Sequence, residues 1–207
     1  MSTHSSRENH WNKIYNTKDT TKVSWFQENP SIALELLGKF DIAKTSKIID
    51  VGGGDSRLID KLIELDYQDV TVLDISRSAI NKSRIRLGDD AKKVEWLVVD
   101  AAKFKPSTKY DFWYDRAAFH FLTDDDEIDY YINNLNNNIT KGGMLILATF
   151  SIEGPDQCSG LNIKQYSEKS LNEKLKKHFT KEECFYHDHI TPSGGKQNFI
   201  YCCFRKK

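Results

Sequence analysis

The stretch KIIDVGGGDSRLIDKL, residues 47–62, joins a short apolar run to three consecutive glycines and then to an amphipathic segment. A short apolar run next to turn residues is typical of a strand buried on both faces, and the segment after the glycines has the spacing of a helix. Gly52, Gly53 and Gly54 would let the backbone bend sharply and approach a ligand with no Cβ in the way. The stretch therefore predicts a strand, a tight turn and a helix, and the turn is either a plain bend or a ligand site.

The same alternation continues along the chain. Short apolar runs at 69–74, 94–100, 110–115 and 143–150 are separated by amphipathic segments, which predicts parallel strands joined by crossover helices. In the last third, two β-rich segments flank a Pro-Ser-Gly-Gly turn at 192–195, which predicts a terminal antiparallel hairpin. We therefore expect an α/β fold: a Rossmann-like, doubly wound, mostly parallel seven-stranded sheet with a C-terminal antiparallel hairpin.

Length and composition restrict the classes of function. The 207 residues suffice for one substantial core, so we expect residues 1–207 to form a single domain in which residues 1–28 are an N-terminal arm. Thirty basic residues balance thirty acidic ones, which argues against a nucleic-acid or membrane partner. Four cysteines without C-x-x-C spacing favour a reducing, cytoplasmic location. The oligomeric state is not predicted.

Three acids belong to strands that meet at one edge of the predicted sheet: Asp50, Asp74 and Asp100. Ligands of open parallel sheets bind beyond the carboxyl ends of the strands, where the strand order reverses. Asp74 lies 22 positions after Gly52, close to the ~20 expected for an acid that accepts two ribose hydroxyl bonds. Asp100 could accept a bond from an adenine amino group, beside a backbone donor at Ala101. Each acid alone could cap a helix, but together they favour a nucleoside site.

NAD is the alternative ligand for this edge of the sheet. A dinucleotide fingerprint, G-x-G-x-x-G counted from Gly52, requires a glycine at position 57, where this chain has Arg57. The pattern therefore argues against a nicotinamide oxidoreductase.

The segments IIDVGGGDS, VTVLD and VVDA, in this order and spacing, resemble the motifs of the class I, seven-strand S-adenosylmethionine-dependent methyltransferases. More narrowly, HWNKIY, VSWFQ, YDFWYDRAAFHFL and CSGLNIKQYS resemble a bacterial subgroup related to the citrate-synthase and elongation-factor lysine methyltransferases. The resemblance implies S-adenosylmethionine as the cofactor. The cofactor-binding residues that we predict are Trp11, Tyr15, Trp25, Gly52, Gly53, Gly54, Ser56, Asp74, Ile75, Asp100, Ala101 and Asp115.

The segment WYDRAAFHF, residues 113–121, contains the candidate catalytic residues Asp115 and His120. By the resemblance, Asp115 approaches the methionyl part of the cofactor. His120 could act as a base or could be a histidine packed between two phenylalanines. The neighbouring Arg116 could belong to the site or form a salt bridge at the sheet edge. Ser56 stands where the family often has a third glycine, and its hydroxyl either caps the helix or meets the cofactor's carboxylate.

The arm and the hairpin contain further candidates. Trp11 and Tyr15 share one helical face. The family resemblance implies that the arm with these two residues and Trp25 folds over the cofactor as a lid, and aromatic packing onto the core is the alternative for each residue. His187 and His189 have metal-ligand spacing, but no further ligand is convincingly placed, so we predict no metal site. Cys158 is expected in the wall of an acceptor pocket.

The function expected from the resemblance is methyl transfer from S-adenosylmethionine to a small molecule or a protein side chain. Methyl transfer is an in-line displacement that depends mainly on positioning and on the exclusion of water. The alternative is a regulatory protein that binds the same cofactor on the same fold without turnover.

Overall fold

The computed structural model describes residues 3–207, with side chains from residue 6 onward. After two helices, strands and helices alternate as far as residue 150, except that a loop without a helix joins the strands at 94–98 and 110–116. A short strand pair, a helix and two long strands complete the chain. The elements are α1 (Thr3–Thr17), α2 (Ser31–Lys39), β1 (Lys47–Val51), α3 (Leu58–Glu64), β2 (Asp69–Asp74), α4 (Arg77–Leu87), β3 (Val94–Val98), β4 (Tyr110–Arg116), α5 (Asp125–Asn138), β5 (Ile139–Phe150), β6 (Gln157–Cys158), β7 (Leu161–Asn162), α6 (Glu168–Leu175), β8 (Phe179–Ile190) and β9 (Lys196–Lys206).

Seven strands form one sheet in the order β3-β2-β1-β4-β5-β9-β8. The first five strands pair in parallel, whereas β9 runs antiparallel to both β5 and β8. The predicted α/β fold is confirmed, including the terminal antiparallel pair. The strand order reverses between β1 and β4, so a crevice opens beyond their carboxyl ends. The short pair β6 and β7 was not predicted, because two residues are too few to show a hydrophobic period.

Side chains on the two faces of the sheet form separate apolar clusters. Phe112 and Tyr114 of β4 lie in one cluster with residues of α2 and α3, whereas Trp113 lies in the other with residues of α5. The alternation follows from the strand geometry, in which successive side chains point to opposite faces. Because helices cover both faces, the strands are apolar in sequence rather than alternating.

A disulfide joins Cys184 of β8 to Cys202 of β9. The two residues are direct partners in the antiparallel register, and their Cα atoms lie 4.2 Å apart. The sequence indicated reduced cysteines because no short spacing pointed to a pair; the hairpin brings together two residues separated by 18 positions. Cys203 points to the opposite face from Cys202 and is a free thiol, as is Cys158.

No helix in residues 3–207 is both long and apolar enough to cross a membrane.

Candidate functional site

A cavity lies beyond the carboxyl ends of β1, β2 and β4, at the point where the strand order reverses. The N-terminal arm covers it. Its wall contains most of the residues that the sequence predicted for cofactor binding, namely Trp11, Tyr15, Trp25, Gly52, Gly53, Ser56, Asp74, Ile75, Asp100 and Ala101.

The backbone of the glycine turn lies in close contact with the carboxylates of Asp50 and Asp74. A Cβ added to Gly53 would lie 2.6 Å from Oδ2 of Asp50, and one added to Gly54 would lie 2.6 Å from Oδ2 of Asp74. Gly52 has φ +73° and Gly54 has φ +35°, which side chains rarely adopt. The glycines therefore allow the backbone to bend and allow both acids to lie against it. Gly54 contacts Asp74 but does not line the cavity.

Asp74 is buried at the end of β2 and also supports the start of α4. Its Oδ1 accepts a bond of 2.7 Å from the backbone N–H of Ser76, whose own hydroxyl caps α4 by accepting from Ala79. Burial raises the pKa of Asp74 to about 7, against the lowering effect of backbone N–H groups at Ser76 and Gly54. The helix-cap and nucleoside interpretations are thus compatible, because the cap is Ser76 and Asp74 orients it.

Asp50 is buried beneath the glycine turn. Burial, followed by the charges of Asp115 and Asp74, raises its pKa to about 7. Within the described part of the chain, its Oδ2 has no hydrogen-bond partner. A carboxylate in this state favours a cation or a hydrogen-bond donor in the cavity.

Ion pairs of Arg7 with Glu127 and Asp100 join the N-terminal arm to the opposite side of the cavity. Its guanidinium donates to both carboxylate oxygens of Glu127 on α5, at 2.9 and 2.5 Å, and to Oδ2 of Asp100 at 3.1 Å. Oδ1 of Asp100 accepts from the backbone N–H of Ala102 at 2.9 Å. The sequence analysis missed Arg7, because nothing near it in sequence marks a partner 93 or 120 positions away.

Aromatic rings fill the space between the arm and the sheet. The ring of Trp11 lies 5.5 Å from that of Trp25 and 5.2 Å from that of Phe121, both in edge-to-face geometry. His189 anchors the same arm, since its Nε2 lies 2.8 Å from the carbonyl oxygen of Ser24. Burial and then the charge of Arg116 lower the pKa of His189 to about 4, so the ring is neutral and donates that bond. Among the described residues, no group of three or more potential ligands could hold a metal ion.

The structure does not bring Asp115 and His120 to the cavity. Asp115 is on the opposite sheet face, where its carboxylate accepts bonds from the N–H groups of Ala118 and Phe119 and from the hydroxyl of Tyr131. Burial raises its pKa to about 6. The predicted contact of Asp115 with the methionyl group has no support in this geometry.

His120 is fully buried, and its Nδ1 accepts a bond of 3.3 Å from the N–H of Phe150. Burial, followed by the charge of Arg116, lowers its pKa to about 3, which keeps it neutral. The packed alternative describes its surroundings, between the rings of Phe121 and Phe150. Its role as a base stays a prediction that the geometry does not favour.

The residues on either side of Asp115 line the cavity instead. Tyr114 and Arg116 point to the cavity face because side chains alternate along β4, and Phe121 and Cys158 complete that end of the wall. Strand alternation could have shown that Tyr114 and Arg116 share one face and that Asp115 lies on the other, but not which of the two faces meets the cavity. Ser56 also lines the cavity, and its hydroxyl accepts from the N–H of Leu58, the first residue of α3, whose N-cap position is Arg57.

Residues 42–204 match the family described as "Methyltransferase domain". The chain is 26% identical over 121 residues to a mouse protein (Mus musculus) named eEF1A lysine and N-terminal methyltransferase, a match covering 58% of this chain and 17% of that protein. It is 27% identical over 108 residues to malonyl-[acyl-carrier protein] O-methyltransferase 1 of Ilyobacter polytropus, covering 52% and 39%. The chain therefore spans less than half the length of these relatives.

Solved structures share the fold. A S-adenosylmethionine-dependent methyltransferase from Anabaena variabilis superposes with a TM-score of 0.75 at 14% identity, over 100% of this chain and 96% of that one. The N-methyltransferase NodS of Bradyrhizobium japonicum, solved with S-adenosylhomocysteine, gives 0.70 at 16% identity, over 96% and 98%. The narrower bacterial subgroup stays a prediction. The chain belongs to the methyltransferase domain family, and it has the fold of the class I S-adenosylmethionine-dependent methyltransferases.

Proposed function

We propose that the protein transfers the methyl group of S-adenosylmethionine to an acceptor bound beneath the N-terminal arm. The observation that supports this most is the pair of buried carboxylates, Asp50 and Asp74, packed against a glycine turn in the wall of a cavity at the switch point. When bound, S-adenosylmethionine supplies a methyl group on a positively charged sulfur, which an acceptor lone pair can attack in line.

In this proposal, different residues of the cavity wall bind different parts of the cofactor. With the cofactor bound, Asp74 would accept bonds from the ribose hydroxyls, and the Asp100–Ala101 corner would hold the adenine. Asp50 would offer a buried carboxylate to the cationic end of the cofactor. The rings of Trp11 and Trp25 exclude water, which strengthens each of these electrostatic contacts.

Both an amine and an oxygen acceptor occur in the names of the relatives, which comprise a lysine and N-terminal methyltransferase and a malonyl-[acyl-carrier protein] O-methyltransferase. We therefore propose a small molecule or a protein side chain as the acceptor. A neutral His120 behind the wall leaves positioning and desolvation as the main contributions of the protein.

The test is a broad acceptor screen with methyl-labelled cofactor, including a host lysate, in which formation of S-adenosylhomocysteine is measured. Methyl transfer that is lost in Asp74→Asn would support the proposal. Tight binding of S-adenosylhomocysteine without transfer to any acceptor would favour the regulatory alternative. Tighter binding of NAD than of S-adenosylmethionine would contradict both.

A further inference from the structure

Arg116 differs from the other arginines of the cavity wall in its partners. Arg7 pairs with Glu127 and Asp100, and Arg57 lies 4.0 Å from Asp60. Arg116, only partly exposed, has no carboxylate within 4.0 Å among the described residues, and its Nη2 has no hydrogen-bond partner there. A guanidinium in this position lacks the anion that buried charges require.

Three groups hold the guanidinium in a fixed place. Nε donates to the hydroxyl of Tyr201 at 3.2 Å, and Nη1 donates to the carbonyl oxygen of Trp25 at 3.2 Å. The plane lies over the ring of Phe199, with Cζ 4.7 Å from the ring centroid. Arg116 and Tyr201 pair with Ala148 from opposite sides, so the small alanine leaves room for the long side chain to cross β5. The remaining donor is therefore preorganised rather than mobile.

The surroundings do not neutralise this charge. Burial raises the pKa of Cys158 to about 11 and that of Tyr114 well above its usual value, so both are uncharged. His120 and His189 are neutral as well. Asp50 is the acid whose pKa is lowered by Arg116, but burial outweighs that effect and raises its pKa to about 7. The end of the cavity formed by Tyr114, Phe121 and Cys158 is thus uncharged and partly desolvated, which increases the attraction of Arg116 for an anion.

We propose that Arg116 is a specificity-determining residue and that the methyl acceptor carries a carboxylate, which this guanidinium binds at the end of the cavity formed by Tyr114, Phe121 and Cys158. The inference rests on the proposed function, because it names the acceptor class of that same site. Guanidinium and carboxylate match in charge and in planar geometry, so their bond orients the acceptor as well as retaining it. A protonated amine would meet a like charge at this place, which disfavours lysine as the acceptor.

The cofactor also has a carboxylate, and the experiment must separate the two. We would saturate the 207-residue protein with S-adenosylhomocysteine and titrate it with benzoate and with the neutral analogue benzamide by calorimetry. The two test variants are Arg116→Gln, which removes the charge, and Arg116→Lys, which keeps the charge but loses the planar guanidinium with its paired N–H donors. The control is Arg57→Gln, at an arginine that lines the same cavity but has Asp60 as an acidic neighbour. Affinity for S-adenosylhomocysteine is measured separately for each protein.

We expect the wild type to bind benzoate at least ~10-fold more tightly than benzamide, as one charge-assisted contact allows. The preference should vanish in Arg116→Gln, weaken in Arg116→Lys and persist in Arg57→Gln, with affinity for S-adenosylhomocysteine changed less than about twofold. If Arg116→Gln does not fold, the wild-type comparison and Arg116→Lys decide.

Equal binding of benzoate and benzamide by the wild type would overturn the proposal, and so would a preference that survives in Arg116→Gln or disappears in Arg57→Gln. A ~10-fold loss of S-adenosylhomocysteine affinity in Arg116→Gln would also overturn it, because the guanidinium would then serve the cofactor. Failure of the wild type to bind S-adenosylhomocysteine at all, with the benzoate preference intact, would contradict the proposed function and not the anion site.

Discussion

Replacement of Asp74 by asparagine separates its role in the cavity from its role in the turn. Oδ1 of Asp74 accepts from the N–H of Ser76, a bond that an asparagine carbonyl can retain. The amide nitrogen would replace an acceptor with a donor, so the side chain could no longer accept two ribose hydroxyl bonds. Hydrogen bonds to charged groups contribute about 1.5–3 kcal/mol each, so affinity for S-adenosylhomocysteine should fall by at least ~10-fold. The fold should survive.

Isothermal titration with S-adenosylhomocysteine and thermal unfolding of the same samples provide the two measurements. Ser76→Ala is the matched control, since it removes the α4 cap, whose hydroxyl accepts from Ala79 at 3.1 Å, and leaves the carboxylate in place. Loss of the cap should cost about 1 kcal/mol of stability and leave affinity nearly unchanged. Wild-type affinity in Asp74→Asn, combined with a loss of stability like that of Ser76→Ala, would refute the nucleoside assignment.

Four further predictions follow from the same geometry. Gly54→Val should weaken S-adenosylhomocysteine binding, because the added Cβ would lie 2.6 Å from the Asp74 carboxylate. The control is Gly88→Ala, at a positive φ in open space, which should lower the melting temperature and leave the affinity unchanged. Equal affinity in both variants would contradict this prediction. Burial raises the pKa of Asp50 and Asp74 to about 7, whereas aspartates in the unfolded chain have a pKa near 3.9. The stability that the two protonated acids contribute is therefore fully present below about pH 3.9 and is lost as the pH rises through about 7. The lowered pKa values of His120 and His189 act in the opposite direction below about pH 6.5. The melting temperature of the unliganded protein should therefore fall between about pH 6.5 and about pH 8, and a rise over this range would argue against the raised pKa values of Asp50 and Asp74. Hydrogen exchange across residues 8–26 should slow when S-adenosylhomocysteine is added, since the arm covers the cavity; identical exchange would exclude a lid that orders on binding. Cys184→Ser should lower the free energy of unfolding by about 3 kcal/mol, the value for a closed loop of this size, and the effect should disappear when wild type and variant are compared under reduction.

The fold was predictable because its signals are local. Each strand of the parallel part is a short apolar run, and the crossovers that contain α3, α4 and α5 are amphipathic segments, so the predicted strands at 47–51 and 69–74 coincide with β1 and β2. The connection from β3 to β4 is a loop without a helix. The place of Gly52, Gly53 and Asp74 in the cavity wall was predictable for the same reason, since they lie at strand ends whose position in a parallel sheet follows from chain order. Asp115 was placed less well, because a strand buried on both faces gives no sign of which residue points to the cavity.

The sequence by itself determined the α/β class, the glycine turn and the acids at the switch point, because these depend on hydrophobic period, backbone freedom and the order of strands. Only the tertiary structure decided which face each strand-end residue takes. It placed Arg116 in the wall and Asp115 behind it, paired Cys184 with Cys202, and joined Arg7 to Glu127 across 120 positions. These pairings depend on register and on the packing of distant elements, which no local pattern records. The lack of a carboxylate beside Arg116 among residues 6–207 arises in the same way, because it follows only from which residues are neighbours in space.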